Sequence, residues 1–144
     1  MRRTKQKQPV ADAILTADLH LTDSTPISRT DDYIIAQERK LQFLKDLSSR
    51  NNHCPVLCAG DVFDNWKASP WLCTWAYLNL PGPLITIPGQ HDLPMHSLEY
   101  YNKSALCLLE EVRDDLKVLE RNETTHGNLY IVGVPFGELN NLEE

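Results

Sequence analysis

A chain of 144 residues, 42% hydrophobic and 24% charged, has the size and composition of one globular domain. Its formal net charge of -6 argues against nucleic-acid binding through a broadly basic surface, although bound divalent cations can supply local positive charge. No apolar run reaches the ~18 residues that a membrane span requires.

The chain opens with Arg2, Arg3, Lys5 and Lys7, and no apolar signal-peptide core follows. Residues 1–12 are therefore expected to be a solvated basic tail, and residues 13–144 a single domain. The apolar run at residues 13–17 predicts a short buried strand. Asp31 and Asp32 offer an N-cap to a helix over residues 33–49, with Ile34, Leu41, Leu44 and Leu47 on one face. Residues 55–59 predict a second strand, ended by Gly60. Ser69 followed by Pro70 is a helix start, with Trp71, Trp75 and Leu78 on one side and Pro81-Gly82-Pro83 as the stop. Residues 84–87 predict a third strand, ended by Pro88-Gly89.

A third helix is expected over residues 97–112, with Leu98, Ala105, Leu108 and Leu109 as its apolar positions. Residues 116–119 and 129–134 predict two further strands, with a polar turn at residues 122–128 between them. Alternating strands and helices predict an α/β fold, in which βαβ units build a parallel or mixed sheet with helices on its faces. Cys54, Cys58, Cys73 and Cys107 form no metal-binding spacing and are expected to be free thiols in a reducing cytoplasm.

Three polar clusters each follow a predicted strand. In Asp18-Leu19-His20, residues two apart on an extended segment share a face, so a carboxylate and an imidazole can meet one cation. In Gly60-Asp61-Val62-Phe63-Asp64, the glycine turns the chain off its strand, and Asp61 stands where one carboxylate could bridge two metals. In Gly89-Gln90-His91-Asp92, Gln90 offers an amide oxygen to a hard cation and His91 a ring nitrogen to a phosphate oxygen. Taken singly, each has a bland alternative: a surface triplet, a turn with a helix cap, a strand-exit turn. Together they place ligand chemistry beyond the carboxyl ends of three strands, where open α/β sheets bind ligands.

The ordered set D-x-H, G-D-x-x-D and G-Q-H-D resembles the opening signature of the calcineurin-like metallophosphoesterases. Gly60-Asp61-Val62-Phe63-Asp64, Gly89-Gln90-His91-Asp92-Leu93-Pro94, Ser104-Ala105-Leu106 and Gly133-Val134-Pro135 further resemble the SbcD-type nucleases of double-strand-break repair, particularly phage relatives. The resemblance implies a DNA exonuclease or endonuclease that uses a water activated by two divalent ions, usually manganese, with an SbcC-type ATPase as partner, in the host cytoplasm if phage-encoded. It implies that Asp18 and His20 bind the first metal, that Asp61 bridges both, and that Gln90 stands where the family has an asparagine ligand of the second. His91 would protonate the leaving oxygen or stabilise the transition state, and Asp64 would orient His91.

Two departures accompany the match. Gln90 is one methylene longer than asparagine. The family's later histidines, ending in G-H-x-H, have no counterpart, since only His96 and His126 follow residue 92. By the family's pattern the second half of a double-sheet sandwich is absent, which would bare an apolar face and lead to self-association or a companion chain. The alternative function is therefore a truncated or noncatalytic subunit that acts through an interface or needs a second chain to complete the site. Among other residues, Trp66 could stack on a base or pack as core. Trp71 and Trp75 are expected in core or interface, His96 in an exposed loop, and His53 and His126 in solvated turns.

Overall fold

The structure is a computed structural model that describes residues 10–137; the basic residues Arg2, Arg3, Lys5 and Lys7 lie outside it. Four short strands, β1 (Ile14–Thr16), β2 (Val56–Cys58), β3 (Leu84–Thr86) and β4 (Leu116–Val118), form one parallel sheet in the order β1-β2-β3-β4. Ile14, Val56, Leu84 and Leu116 stand abreast in the register. The α/β expectation holds, and the strand order adds a constraint. Crossovers between parallel strands are right-handed, so a sheet that grows in one direction receives every helix on the same face.

That is the observed arrangement. Leu41 of α1 (Tyr33–Arg50), Leu72, Cys73 and Ala76 of α2 (Pro70–Asn79), and Ala105, Leu106 and Leu109 of α3 (Ala105–Val112) share one buried cluster with Val56, Cys58, Leu84, Leu116 and Val118. Alternation along the strands sends Leu15, Leu57, Ile85 and Lys117 to the other face. The expected flanking helices are present, and the structure adds that the three α-helices pack on one face of the sheet. The first strand is not buried, since Leu15 is 79% exposed and Ala17 is exposed.

The opposite face is partly covered by a hairpin of β5 (Glu123–His126) and β6 (Leu129–Val132), paired antiparallel from Glu123↔Val132 to His126↔Leu129. The polar turn expected at residues 122–128 is therefore mostly strand. Thr124 and Thr125 are β-branched and pair with Ile131 and Tyr130, and the turn itself shrinks to Gly127-Asn128, with Gly127 at φ +58°. Lys117 Nζ donates to Thr124 Oγ1 at 2.8 Å and fastens the hairpin to the sheet.

Helix starts match their caps. The Asp32 carboxylate accepts from Ile35 N at 3.1 Å and Ser69 Oγ from Leu72 N at 3.1 Å. The α1 stripe buries Gln37, Leu41, Leu44 and Ser48. Gln37 earns its place through two bonds, both of 2.9 Å, to the N–H and carbonyl of Thr22, and so anchors the loop after β1. On α2 the buried residues are Leu72, Cys73 and Ala76. Trp71 and Leu78, expected to share an apolar side with Trp75, are 52% and 67% exposed. Trp71 stacks on Trp75 at 6.3 Å between ring centroids.

The helix expected over residues 97–112 is broken. A 3-10 turn (Leu98–Lys103) ends at Ser104, which is extended (φ -91°, ψ 155°) and whose Oγ accepts from Cys107 N at 3.1 Å to start α3. The break resets the helical phase, so Leu106 is buried in place of Leu108. Among the described residues no helix is long and apolar enough to cross a membrane.

Replacing buried Ser104 with alanine leaves the first turn of α3 uncapped and is expected to destabilise the chain by about 0.5–2 kcal/mol in urea unfolding. An unchanged midpoint would mean that α3 does not depend on this cap.

Candidate metal centre

The site is built where three strands end. Beyond β1 and β2 the two loops run side by side and continue the ladder. Asp18 N donates to Gly60 O (3.1 Å), His20 N to Asp61 O (3.0 Å), Leu21 N to Val62 O (2.9 Å), and Asp64 N to Leu21 O (3.1 Å). Leu21, Val62 and Phe63 are buried beneath them and hold the loops on the core. The segment through Asp18 and His20 is not extended, as the i, i+2 argument supposed. Asp18, His20 and Asp61 adopt left-handed backbone with φ of 53°, 46° and 54°. Aspartate and histidine tolerate that region better than most residues, yet each instance costs energy that the surrounding ladder must offset.

The loop after β3 closes against this pair. Asp92 is wholly buried; its Oδ2 accepts from Val62 N (3.1 Å) and Gly89 N (3.0 Å), and its Oδ1 from Phe63 N (2.9 Å). One carboxylate therefore stitches the second and third motifs together. Burial pushes the Asp92 carboxyl above the usual carboxylate range, while its three amide donors pull the other way. Glycine is required at the contact. A Cβ on Gly89 would lie 2.2 Å from both the N and Oδ1 of Asp61, and one on Gly60 would lie 2.8 Å from Gly89 Cα.

This closure gathers the predicted residues. Two overlapping groups, Asp18–His20–Asp61 and His20–Asp64–His91, have ligand atoms within 4.8 Å of one another. His20 Nε2 stands 3.8 Å from Asp18 Oδ1, and the His20 and His91 rings meet edge to face at 4.8 Å. His91 N donates to Asp61 Oδ1 at 2.8 Å, tying the candidate bridging carboxylate to the third motif. Asp64 meets His91 differently from the orienting role expected of its side chain. His91 Nδ1 bonds the main-chain carbonyl of Asp64 at 2.9 Å, while the Asp64 carboxylate faces His20. Because a carbonyl only accepts, His91 carries its proton on Nδ1. Gln90 is exposed and lines a cavity of about 470 Å³ together with Asp61.

These residues fit divalent cations. Carboxylates and imidazoles are the donors that manganese, magnesium and zinc accept. His20 Nδ1 is buried without a hydrogen bond and faces Asp64 Oδ1 at 3.2 Å, a ring nitrogen left available to a cation. The nearby Cys58 thiol is pushed up to about 11, chiefly by burial, so in the metal-free chain it stays protonated at neutral pH.

The role of Asp92 went unread in the sequence. The apolar Leu93-Pro94 that follows it is the signal that this carboxylate turns inward. His96 is exposed, and its Nδ1 bonds the carbonyl of Gln90 at 3.0 Å, at the rim of the site. Trp66 is half-buried and lines a separate cavity with Lys67 and Lys103.

Asp92→Asn presents an N–H group to at least one amide that now meets a carboxylate oxygen. A loss of about 1–3 kcal/mol is expected in chemical denaturation, and stability equal to the parent would refute the stitching role. Gly89→Ala is expected to disrupt the Asp61 position and abolish manganese binding measured by calorimetry; retained affinity would show that the loops can part.

The family model described as calcineurin-like phosphoesterase matches residues 13–143. No curated protein matches the chain.

Proposed function

The chain belongs to the calcineurin-like phosphoesterase family, and from that premise we propose that it hydrolyses phosphodiester bonds in DNA as a nuclease of the SbcD type, using two manganese ions. Family membership and the clustered ligands support metal-dependent phosphoester hydrolysis. The single observation that carries the proposal is the convergence of Asp18, His20, Asp61, Asp64 and His91 at the carboxyl ends of adjacent parallel strands. The nuclease assignment rests on the resemblance of the loops at residues 60–64, 89–94 and 133–135 to that subgroup.

In this proposal Asp18 and His20 hold one cation, Asp61 bridges, and Gln90 completes the second position from the cavity rim. When bound, the cations polarise the phosphoryl oxygen and lower the pKa of a water. His91 is held by two bonds, through its N–H to Asp61 and its Nδ1 to the Asp64 carbonyl, which fixes the ring beside His20. A ring so fixed can present its other nitrogen to a phosphate or leaving oxygen without reorganising. Asp64 thus positions His91 through its backbone and His20 through its carboxylate. The proposed partner is an ATPase of the SbcC type.

A bis(p-nitrophenyl) phosphate assay with manganese tests the activity. Asp61→Ala is expected to lose more than the roughly 10–100-fold that removing a residue behind the ligands costs. Equal rates in parent and variant would leave the noncatalytic subunit as the function.

The sheet face that the hairpin only partly covers among the described residues favours an additional interface. Leu15 is 79% and Val132 58% exposed, and a cavity of about 360 Å³ between sheet and hairpin is lined by Leu15, Leu57, Ile85, Ile131 and Val134. We propose that a second copy of the chain covers it. Sedimentation should show concentration-dependent association that Leu15→Glu reverses, and a monomer at all concentrations would exclude self-association.

A further inference from the structure

The cavity that Gln90 shares with Asp61 combines polar and apolar lining: Asp61 and Gln90 line it together with Pro88, Val134, Pro135 and Phe136. Its volume of about 470 Å³ lies in the range of small-molecule sites, and it is open to solvent. Among the described residues that line it, Asp61 carries the only charged side chain and none is a lysine or arginine that would pair with a second phosphate or a carboxylate. Such a lining favours an uncharged group beside the metal centre, in mostly apolar surroundings.

Phe136 is the largest apolar surface offered. It is 44% exposed, so its ring is not consumed by the core. Its backbone is nevertheless held, because Phe136 N donates to Pro88 O at 3.2 Å. Pro88 adjoins Gly89, which packs against Asp61, so the aromatic wall and the candidate bridging ligand are fixed to the same turn. The loop is also pinned from behind. Gly133 N donates to Asn122 O at 2.9 Å, and a Cβ on Gly133 would lie 2.2 Å from Leu119 Cβ. The ring stands on a braced loop, which keeps the entropic cost of stacking on it low.

Resting on the phosphodiesterase proposal above, we propose that this cavity seats the nucleobase adjoining the phosphate, with Phe136 as its stacking face. Stacking on an aromatic ring is tolerant of base identity, because every base has a π-face to offer Phe136. The subsite thus confers a preference for nucleotides over sugar phosphates without a strong sequence preference.

The test compares thymidine 5'-monophosphate with deoxyribose 5-phosphate, which differ only by the base, by calorimetry on the manganese-loaded chain. The parent is expected to bind thymidylate about tenfold or more tighter. Phe136→Ala should bring the two affinities together, and Phe136→Trp should keep the preference. Equal affinities in the parent, or a preference that survives in Phe136→Ala, would overturn the subsite while leaving the metal centre standing. A parent that binds neither manganese nor either phosphate would overturn the phosphodiesterase proposal, and the subsite with it.

Discussion

The buried Asp92 carboxylate is the interaction on which the site depends. Three amides from two loops converge on its two oxygens, and none of the three has a ladder partner at that point. A charge is costly to bury, and here the amide donors offset that cost only when Val62, Phe63 and Gly89 are all in place. The bond set therefore acts as a condition: the second and third motifs must lie together for Asp92 to be satisfied. Gly60 and Gly89 make the condition achievable, since any side chain at either position would hold the loops apart.

Strain and order are linked at the same place. Asp18, His20 and Asp61 all lie in the left-handed region, and each is kept there by backbone bonds between neighbouring loops. Such backbone is unfavourable in isolation, but it turns consecutive polar side chains toward one point. The candidate ligands are thus preorganised by main-chain bonds between the loops and by contacts among the side chains themselves. His91 follows the same logic, because both of its restraints come from the second motif's loop.

A sheet that grows in one direction also decides what the molecule must do with its other face. Right-handed crossovers deliver α1, α2 and α3 to one side, and the hairpin covers only part of the remainder. The hairpin and the loop after it do double service. They shield the sheet near β3 and β4, and they bring Val134, Pro135 and Phe136 to the wall of the cavity beside Asp61. Coverage of the sheet and the shape of the site are therefore coupled through residues 129–137.

Much of this was legible in the residues themselves. Short apolar runs ended by Gly60 or Pro88-Gly89, and caps at Asp32 and Ser69, determined where strands and helices begin, because turn and cap chemistry is local. That these polar residues would gather was legible too, because carboxylates and imidazoles at successive strand exits share a rim in any parallel sheet. What only the tertiary structure decided were choices between locally equal options. The turn at residues 122–128 became a strand because β6 was there to pair with it. The third helix restarted at Ser104, so the phase that buries Leu106 could not be read from spacing. Asp64 turned its carbonyl rather than its carboxylate to His91, and Asp92 turned inward, because those directions depend on where two distant loops meet. Sequence spacing encodes which atoms can be presented; only the folded chain determines which partner each one faces.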